Sequence, residues 1–349
     1  MKNSGVSMRQ IAAKAGVSIA SVSRALSGKD TAFLSDTLRN HIIEVCRELK
    51  YHPNEHTRRM FTHRANTVAM FFPPFSKADN DIQENFTYVK FSNCMMGARF
   101  TLAEKGIDLL LVETSTTFTN DKRHLNMVRG KIIDGILLWG ALDDDEYVND
   151  LLDENIPLVM LQCVREGCKC SNVISDDFTG TYNLTRELLK AGHRQIAIIS
   201  PKQASSIGRD RMKGVVNALS DAGLEAAYIT RQSGYGYQFG GQATAEIIEQ
   251  CKSFSAIISS NDLAAWGCID ELKKHNLQVP RDISVVGGDG LKIPGELQLN
   301  SFSSPVYEIG KRGAELLMKQ IDGDHPIENI SFPVTPVTGN TIKPLLNTP

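Results

Sequence analysis

The stretch AGVSIASVSRALSG, residues 15–28, decides the fold of the N-terminal part of the chain. Gly16 interrupts a preceding helical pattern at a point where a sharp turn needs a positive φ. Ser18 can cap a second helix, in which Val22 and Leu26 lie on one face because they are four residues apart. A helix, a short turn containing glycine and a second helix together are typical of a helix-turn-helix.

The flanking segments extend this motif to three short helices. Ser7 and Gln10 fit a capping box at the start of the first helix. A serine at position 35 can cap the third. In that helix the apolar residues recur at helical spacing, and they are Leu38, Ile42, Val45 and Leu49. A plain three-helix packing unit without any partner has the same pattern, so the pattern alone leaves both interpretations open.

The second helix carries side chains that suit the major groove of DNA. In a helix-turn-helix the N-terminal residues of the second helix contact the base edges. Ile19 and Ala20 offer apolar contact to thymine methyl groups, and Arg24 can reach a guanine edge. The serines of the stretch can bond to phosphates. These residues indicate a DNA-binding helix, with a simple surface charge as the alternative for Arg24.

The charge of the chain is divided unevenly along its length. The net charge is −2 at pH 7, but residues 1–65 hold 11 Lys and Arg against 5 Asp and Glu, a balance of +6. The remainder holds 27 against 35, a balance of −8. A basic head on an acidic body favours a polyanion as the partner of the head. A merely solvated basic face is the alternative.

Residues 51–66, YHPNEHTRRMFTHRAN, are predicted to link the head, residues 1–50, to the rest of the chain. Pro53 is compatible with a helix start. The segment has room for about two helical turns, which is too short to be stable alone. A flexible linker with arginines that contact phosphate without sequence preference is the other interpretation.

From residue 67 to residue 349, short apolar runs alternate with amphipathic helical stretches. The strand-like runs are TVAMFF (67–72), IDLLLV (107–112), IDGILLW (133–139), IPLVML (156–161), IAIIS (196–200), AIISS (256–260) and ISVVG (283–287). This alternation predicts parallel sheets covered by helices. The number of runs predicts an α/β body of two similar lobes with a cleft between them. We place the first lobe at about 67–162 and 292–324, and the second at about 163–291 and 325–349.

Polar and aromatic residues follow several of these runs, where ligands of open α/β sheets bind. They are Trp139, Gln162, Asn261 and Asp289. An aromatic plate with amides and carboxylates is suited to a sugar, whose ring faces stack and whose hydroxyls form hydrogen bonds. An enzyme on this scaffold would need a pair of catalytic residues in the cleft, and the sequence shows no such pair.

Several long motifs resemble the lac repressor/galactose repressor family of bacterial transcription regulators. The head motifs are MRQIAAKAGVSIASVSRALSGKD (8–30) and TLRNHIIEVCRELKYHPNEHTRRM (37–60). The body motifs are GHRQIAIIS (192–200), GRDRMKGV (208–215), SSNDLAAWG (259–267) and VPRDISVVGGDG (279–290). The resemblance implies a helix-turn-helix head on a body like the periplasmic binding proteins, with an effector bound between its lobes.

The resemblance also implies which residues touch DNA. Ile19 and Ala20 occupy the main base-reading positions, and Arg24 occupies a further one. The other expected contacts are Ser18, Ser21, Ser23, Asn54, Arg58 and Met60. The family uses residues 51–66 as a hinge helix that folds on DNA within a dimer. Met60 stands where the family usually has a leucine that enters the minor groove, and a methionine wedge there is physically reasonable.

In the body, the resemblance implies that Arg211 grips effector hydroxyls or a carboxylate. The other residues that it assigns to the effector site are Phe91, Trp139, Gln162, Tyr235, Asn261 and Asp289. For each of them the alternative is structural capping of a strand or helix end. The chain departs from the family at Gly288 and Gly290, which flank Asp289, and in a longer loop over 73–91.

The sequence therefore predicts a homodimeric DNA-binding transcription regulator, a repressor, that recognises a pseudo-palindromic operator and a small carbohydrate effector or derivative. The first ten residues lack the apolar segment of a secretory signal, which predicts a cytoplasmic protein without a membrane partner. An exported sugar-binding protein would lack the basic head. Cys163, Cys168 and Cys170 lack the spacing and fourth ligand of a zinc site, so we expect no metal and no cofactor.

Overall fold

The computed structural model of the chain describes residues 6–27, 34–51, 64–74, 87–292, 295–324 and 327–345. The chain divides into two compact units, Met1–Ala65 and Asn66–Pro349, which we call the head and the body. Most of the predicted hinge and of the long loop after residue 73 lies outside the described residues. The helical head and the α/β body confirm the predicted fold class.

In the part of the head that the structure describes there are three helices, α1 (Met8–Ala15), α2 (Ile19–Ser27) and α3 (Asp36–Glu48). Their ends follow the predicted capping chemistry. Ser7 and Gln10 form both bonds of a capping box, and Gly16 ends α1 with a φ of 68°. The hydroxyl of Ser35 accepts a bond from the Leu38 amide at 3.3 Å. Local sequence therefore defines where each helix begins.

One apolar cluster holds the three helices together. Ile11 from α1, Val22 from α2 and Ile42 from α3 are fully buried in it. Burying one such side chain stabilises a fold by about 1.5–3 kcal/mol. An ion pair of 2.9 Å between Lys14 and Glu48 joins α1 and α3 at the surface.

The first lobe of the body is built on a six-stranded sheet in which all paired strands are parallel. Its strands are β1 (Thr67–Phe72), β2 (Asp108–Glu113), β3 (Gly135–Trp139), β4 (Leu158–Leu161), β5 (Ser171–Ser175) and β11 (Asn329–Phe332). Their order across the sheet is β11-β5-β4-β3-β1-β2. The chain thus enters the body in the interior of the sheet rather than at an edge.

Helices cover both faces of this sheet, and β1 shows why. Val68 and Met70 face one apolar cluster, whereas Ala69 and Phe71 face another, because side chains alternate along a strand. The helices of this lobe are α4 (Thr87–Ala103), α5 (Thr116–Asn120), α6 (Arg123–Arg129), α7 (Tyr147–Asp153) and α12 (Val306–Ile321). A strand that is buried on both faces has apolar residues at successive positions, which explains the continuous apolar run in the sequence.

The second lobe repeats the plan with a smaller parallel sheet of order β7-β6-β8-β9. Its strands are β6 (Ile196–Ile198), β7 (Tyr228–Ile229), β8 (Ala256–Ile258) and β9 (Ser284–Val286). Its helices are α8 (Asp177–Lys190), α9 (Ser206–Asp221), α10 (Tyr237–Gln250) and α11 (Asp262–Lys274). The first two pack on one face and the last two on the other.

The predicted boundaries between the lobes are wrong at three places. Residues 163–175 and 325–332 were expected in the second lobe, but β5 and β11 pair within the first sheet. Conversely, β10 (Ser301–Ser303), expected in the first lobe, pairs with β12 (Thr335–Val337), and Ser303 bridges to Asp289 beyond β9. These strands are short and polar, so they carry no apolar run to reveal them.

All seven cysteines have free thiols. In the part of the chain that the structure describes, no group of three or more His, Cys, Asp or Glu side chains is arranged to hold a metal ion. No helix of that part is long and apolar enough to cross a membrane.

Candidate functional site

The predicted base-reading residues lie together on the exposed face of α2. Successive residues of a helix are about 100° apart, so Ile19, Ala20 and Arg24 share one side while Val22 and Ala25 point to the opposite side. Val22 and Ala25 are buried in the head core, whereas Ile19 is 47% exposed. Ala20 and Arg24 are exposed as well. The head thus holds this face outward through the packing of its other face.

Ser18 and Ser21 act first on the helix itself. The Ser18 hydroxyl accepts a bond from the Ser21 amide at 3.0 Å, and the two hydroxyl oxygens are 2.9 Å apart. This cap lies at the positive end of the helix dipole, where phosphates bind readily. Ser23 is half-buried on the same helix. Asn54, Arg58 and Met60 lie outside the described residues.

In the second lobe, Arg211 is the centre of a buried ion cluster. Its Nε donates to Asp177 Oδ1 at 2.7 Å, its Nη1 to the Ser260 carbonyl at 2.8 Å and its Nη2 to Asp289 Oδ1 at 2.8 Å. Only 5% of its side chain is exposed. The Phe302 ring lies 5.3 Å from the guanidinium carbon. Arg211 and Asp289, which were each predicted to contact the effector, are therefore bonded to each other.

A residue that the sequence analysis missed completes this cluster from the first lobe. Lys90 lies near the start of α4, and its Nζ is 2.6 Å from Asp289 Oδ1. The same carboxylate oxygen thus accepts a bond from each lobe. Lys90 directly precedes Phe91 at the end of the long loop over 73–91. A single lysine next to a predicted site residue was all that the sequence offered to indicate its role.

The pKa values of two carboxylates at this site, Asp289 and Asp262, are shifted in opposite directions. Burial alone would raise the pKa of Asp289, but Lys90 and Arg211 lower it overall. Burial first, and the charge of Asp289 second, raise the pKa of Asp262 to about 7. For Arg211, burial favours the neutral form, yet Asp177 and Asp289 raise its pKa further, so it stays charged.

Asn261 and Gln162 are both tied to the backbone near them. The Asn261 side chain caps α11 by accepting a bond from the Ala264 amide at 2.9 Å. The Gln162 side chain accepts from the Ser175 amide at 2.9 Å and donates to the Ser175 hydroxyl at 3.0 Å. These bonds fit the capping alternative, and a contact of either residue with an effector stays a prediction.

The predicted aromatic residues lie in two places. Phe91 is 6% exposed, and its ring centre lies 4.6 Å from that of Phe72 and 6.1 Å from that of Trp139. This packing makes Phe91 part of the first lobe's core. Trp139 is half-buried at the end of β3. Tyr235 lies in the second lobe, where burial raises the pKa of its hydroxyl despite the opposing charge of Arg211.

Three buried serine hydroxyls of the second lobe have no hydrogen-bond partner among the described residues. They are Ser259, Ser260 and Ser304, which are 5%, 2% and 7% exposed. Ser259 and Ser260 follow β8, and Ser304 follows β10. A buried polar group without a partner is costly in a native fold, and a bound ligand can satisfy it.

A cavity of about 690 Å³ lies at the carboxyl ends of the first lobe's strands. Pro73 and Pro74 line it after β1, Thr114 lines it after β2, and Lys202 lines it from the second lobe. Pro73 and Pro74 are the first residues of the longer loop over 73–91 in which the chain departs from the family. Backbone bonds join the two lobes nearby, such as the 3.0 Å bond from the Asp143 amide to the Ala204 carbonyl.

Two family descriptions match parts of this chain. The family described as "Bacterial regulatory proteins, lacI family" matches residues 7–54, which contain α1, α2 and α3. A second description, "Periplasmic binding protein-like domain", matches residues 185–342. These two matches confirm the resemblance seen in the sequence.

Named relatives align with this chain over almost its whole length. The transcriptional repressor CytR of Escherichia coli K12 is 27% identical over 330 residues, which are 93% of this chain and 92% of CytR. The transcriptional regulator CelR of Thermobifida fusca is 28% identical over 326 residues, 91% of this chain and 92% of CelR. The named relatives are transcription regulators.

Two solved structures have the same fold along almost the whole chain. A complex of the regulator CelR with cellobiose has a TM-score of 0.71 and 25% identity, and covers 96% of this chain and 99% of its own. The lac repressor dimer bound to operator and the anti-inducer ONPF has a TM-score of 0.78 at 20% identity, with coverage of 97% and 99%. At that identity the second likeness supports the fold.

Proposed function

We propose that this chain is a sequence-specific DNA-binding transcription regulator, a repressor, whose operator affinity is controlled by a small effector bound in the body. The observation that carries the proposal is the exposed face of α2. There Ile19, Ala20 and Arg24 point away from the head core within the segment that matches the lacI family. Apolar contacts to thymine and a guanine contact by arginine fit this set of side chains.

The hinge supplies further proposed contacts. Asn54, Arg58 and Met60 would bind the minor groove and the phosphates when residues 51–66 fold on DNA. An apolar wedge between base pairs costs a few kcal/mol of unstacking, which the bent duplex offsets by wrapping more of the protein. Ser18, Ser21 and Ser23 would contact phosphates from the head.

The proposed effector site of the body is the cluster around Arg211 and Asp289, with Trp139 and Tyr235 as aromatic neighbours. Carboxylate, guanidinium and serine hydroxyls suit a carbohydrate or a derivative of one. CelR was solved with cellobiose, which supports a sugar-like ligand for this chain. Because Lys90 and Asp289 join the lobes, a ligand at this carboxylate would alter how the lobes are held.

Control of DNA binding then follows from linkage. If the effector binds one arrangement of the lobes more tightly than the other, it shifts the equilibrium between them, and DNA must change effector affinity by the same factor. The proposal involves no catalysis and no cofactor. Its DNA partner would be met in the bacterial cytoplasm.

A homodimer is the proposed assembly. Leu110 and Leu111 on β2 and Ile229 on β7 are large apolar residues that are 39–45% exposed, and both strands lie at sheet edges. Exposed apolar edges are typical of surfaces that another chain covers. Two heads related by a two-fold axis would recognise a pseudo-palindromic operator.

Selection from a pool of random DNA duplexes tests the proposal. The full chain should enrich one two-fold-related sequence, whereas a chain of residues 66–349, which form a compact unit of their own, should enrich none. Equal enrichment by both chains, or no enrichment by the full chain, would contradict it.

A further inference from the structure

Lys90 presents a cation at the interface between the two lobes of the body. Its ammonium nitrogen lies 2.6 Å from Asp289 Oδ1. The Lys90 side chain keeps 20% of its surface exposed, whereas the Asp289 side chain keeps 8%. Lys90 is therefore the more exposed partner of this ion pair.

Arg211, the other cation of the cluster, is already occupied within the second lobe. Three of its hydrogen bonds go to Asp177, Asp289 and the Ser260 carbonyl. It is 5% exposed, and the fully buried Asp177 balances its charge. Of these two cations, Lys90 is the one placed to exchange its partner.

The exchange of partners has different consequences for neutral and anionic ligands. A neutral polyol that replaced Lys90 at Asp289 would leave a partly buried ammonium without its counter-charge, and that desolvation is costly. A ligand that also carries an anionic group gives Lys90 a new partner. Charge-assisted bonds of this kind are about twice as strong as neutral ones.

The surroundings of the cluster also offer hydroxyl chemistry. The hydroxyls of Ser260 and Ser304 are buried and without a partner among the described residues. The Ser260 carbonyl bonds to Arg211, and Ser303, the neighbour of Ser304, bridges to Asp289. A serine hydroxyl both donates and accepts, so it suits a ligand that is rich in hydroxyl groups.

We infer that the effector is a polyhydroxylated compound with an anionic group, such as a sugar phosphate or a sugar acid, and that Lys90 selects it by pairing with that group. This inference rests on the proposed function, because it names the ligand class of the same site. It makes Lys90 a specificity-determining residue that the motifs of the sequence did not reveal.

Thermal unfolding of the full chain tests this inference with a panel of matched ligands. The probes are glucose with glucose 6-phosphate and gluconate, ribose with ribose 5-phosphate, and glycerol with glycerol 3-phosphate. At least one anionic probe should raise the melting temperature in a saturable way, with a dissociation constant at least ten-fold lower than that of its neutral partner. The phosphate and carboxylate arms identify which anion fits.

Variants then assign the preference to one side chain. Lys90→Met should lower the affinity for the best anionic probe at least ten-fold, and Lys90→Arg should keep most of it. Lys213→Met is the control, because it removes an exposed lysine of α9 that pairs weakly with Asp210. The inference is overturned if no anionic probe binds saturably, if the neutral partners bind as well, or if Lys90→Met binds the anion as the unaltered chain does.

The same panel separates this inference from the proposed function. A neutral sugar that saturates the body and releases selected DNA would keep the regulator function and reject the role of Lys90. An anionic ligand that depends on Lys90, in a chain that selects no DNA sequence, would keep the role of Lys90 and reject the regulator function.

Discussion

The recognition face of the head and the ion cluster of the body each contain an arginine with a predicted partner, but in opposite surroundings. Arg24 is exposed on α2, whereas Arg211 is buried and donates three bonds to the protein. An exposed arginine can turn to a new partner at the surface while the fold around it stays unchanged. In the buried cluster, a ligand has to exchange contacts that the fold already makes, so binding there alters the fold itself.

The largest effect that would test this contrast is expected from Asp177→Ala. Removing one partner from a buried ion pair leaves the other charge uncompensated and costs about 3–5 kcal/mol. The free energy of unfolding of the body, measured by urea denaturation, should fall by that amount. Arg281→Met, which breaks an exposed pair with Asp282, is the control and should change it little. A loss of less than about 1 kcal/mol for Asp177→Ala would mean that the cluster contributes little to the fold.

A smaller effect is expected on the head side from Arg24→Ala. Discrimination at one base pair of the selected operator should fall by about 1–3 kcal/mol, because a bidentate contact to guanine is lost. Binding of a set of operators with single substitutions measures it, and Arg47→Ala on the exposed side of α3 is the control. An equal loss on every sequence would show that Arg24 contacts only phosphate.

A third prediction concerns the frame that presents the recognition face. Ser35→Ala removes the N-cap of α3 and should lower the free energy of unfolding of the head by about 1 kcal/mol. Chemical denaturation followed by circular dichroism measures it. Thr37→Ala, at an exposed position of the same first turn, should have less effect. Equal losses in both variants would point to helix propensity rather than capping.

The smallest expected effect is a pH dependence of the body. Burial lowers the pKa of His193, against an opposing hydrogen bond to the Lys343 carbonyl. The unfolded chain therefore binds a proton near its ordinary pKa of about 6.5 while the folded chain resists it. Stability should fall as the pH drops below that value.

Melting temperatures at pH 7 and pH 5 test this linkage. The decrease between the two should be smaller in His193→Gln than in the unaltered chain, since the variant has no imidazole to protonate. The same decrease in both proteins would place the pH dependence on other groups.

The head was predictable almost to the residue, because local rules determine it. The capping box of Ser7 and Gln10, the left-handed Gly16 and the cap at Ser35 all follow from residues within one helical turn. The apolar spacing of Ile42 and Val45 then defines the buried face. None of these features depends on a distant part of the chain.

The body was predictable in its strands and motifs but not in its contacts. Arg211 and Asp289 were both assigned to the cleft, and they are bonded to each other. Lys90, in contrast, reaches Asp289 from 199 positions away along the chain, and no local pattern encodes that distance. The polar strands β5 and β11 were missed for a related reason. Their position in the sheet depends on the pairing of β5 with β11. Their own residues contain no apolar run that would predict a strand.

The path of the chain through the lobes has a consequence for the order of synthesis. The first sheet is finished by Asn329–Phe332, and the second lobe's core includes Ile342. Neither lobe can therefore complete its core until nearly the whole chain has left the ribosome. The head, whose contacts are local, can fold hundreds of residues earlier, since domains generally fold as units from the N-terminus. On each nascent chain, the head that would bind DNA can therefore fold before the body that would bind the effector has been completely synthesised.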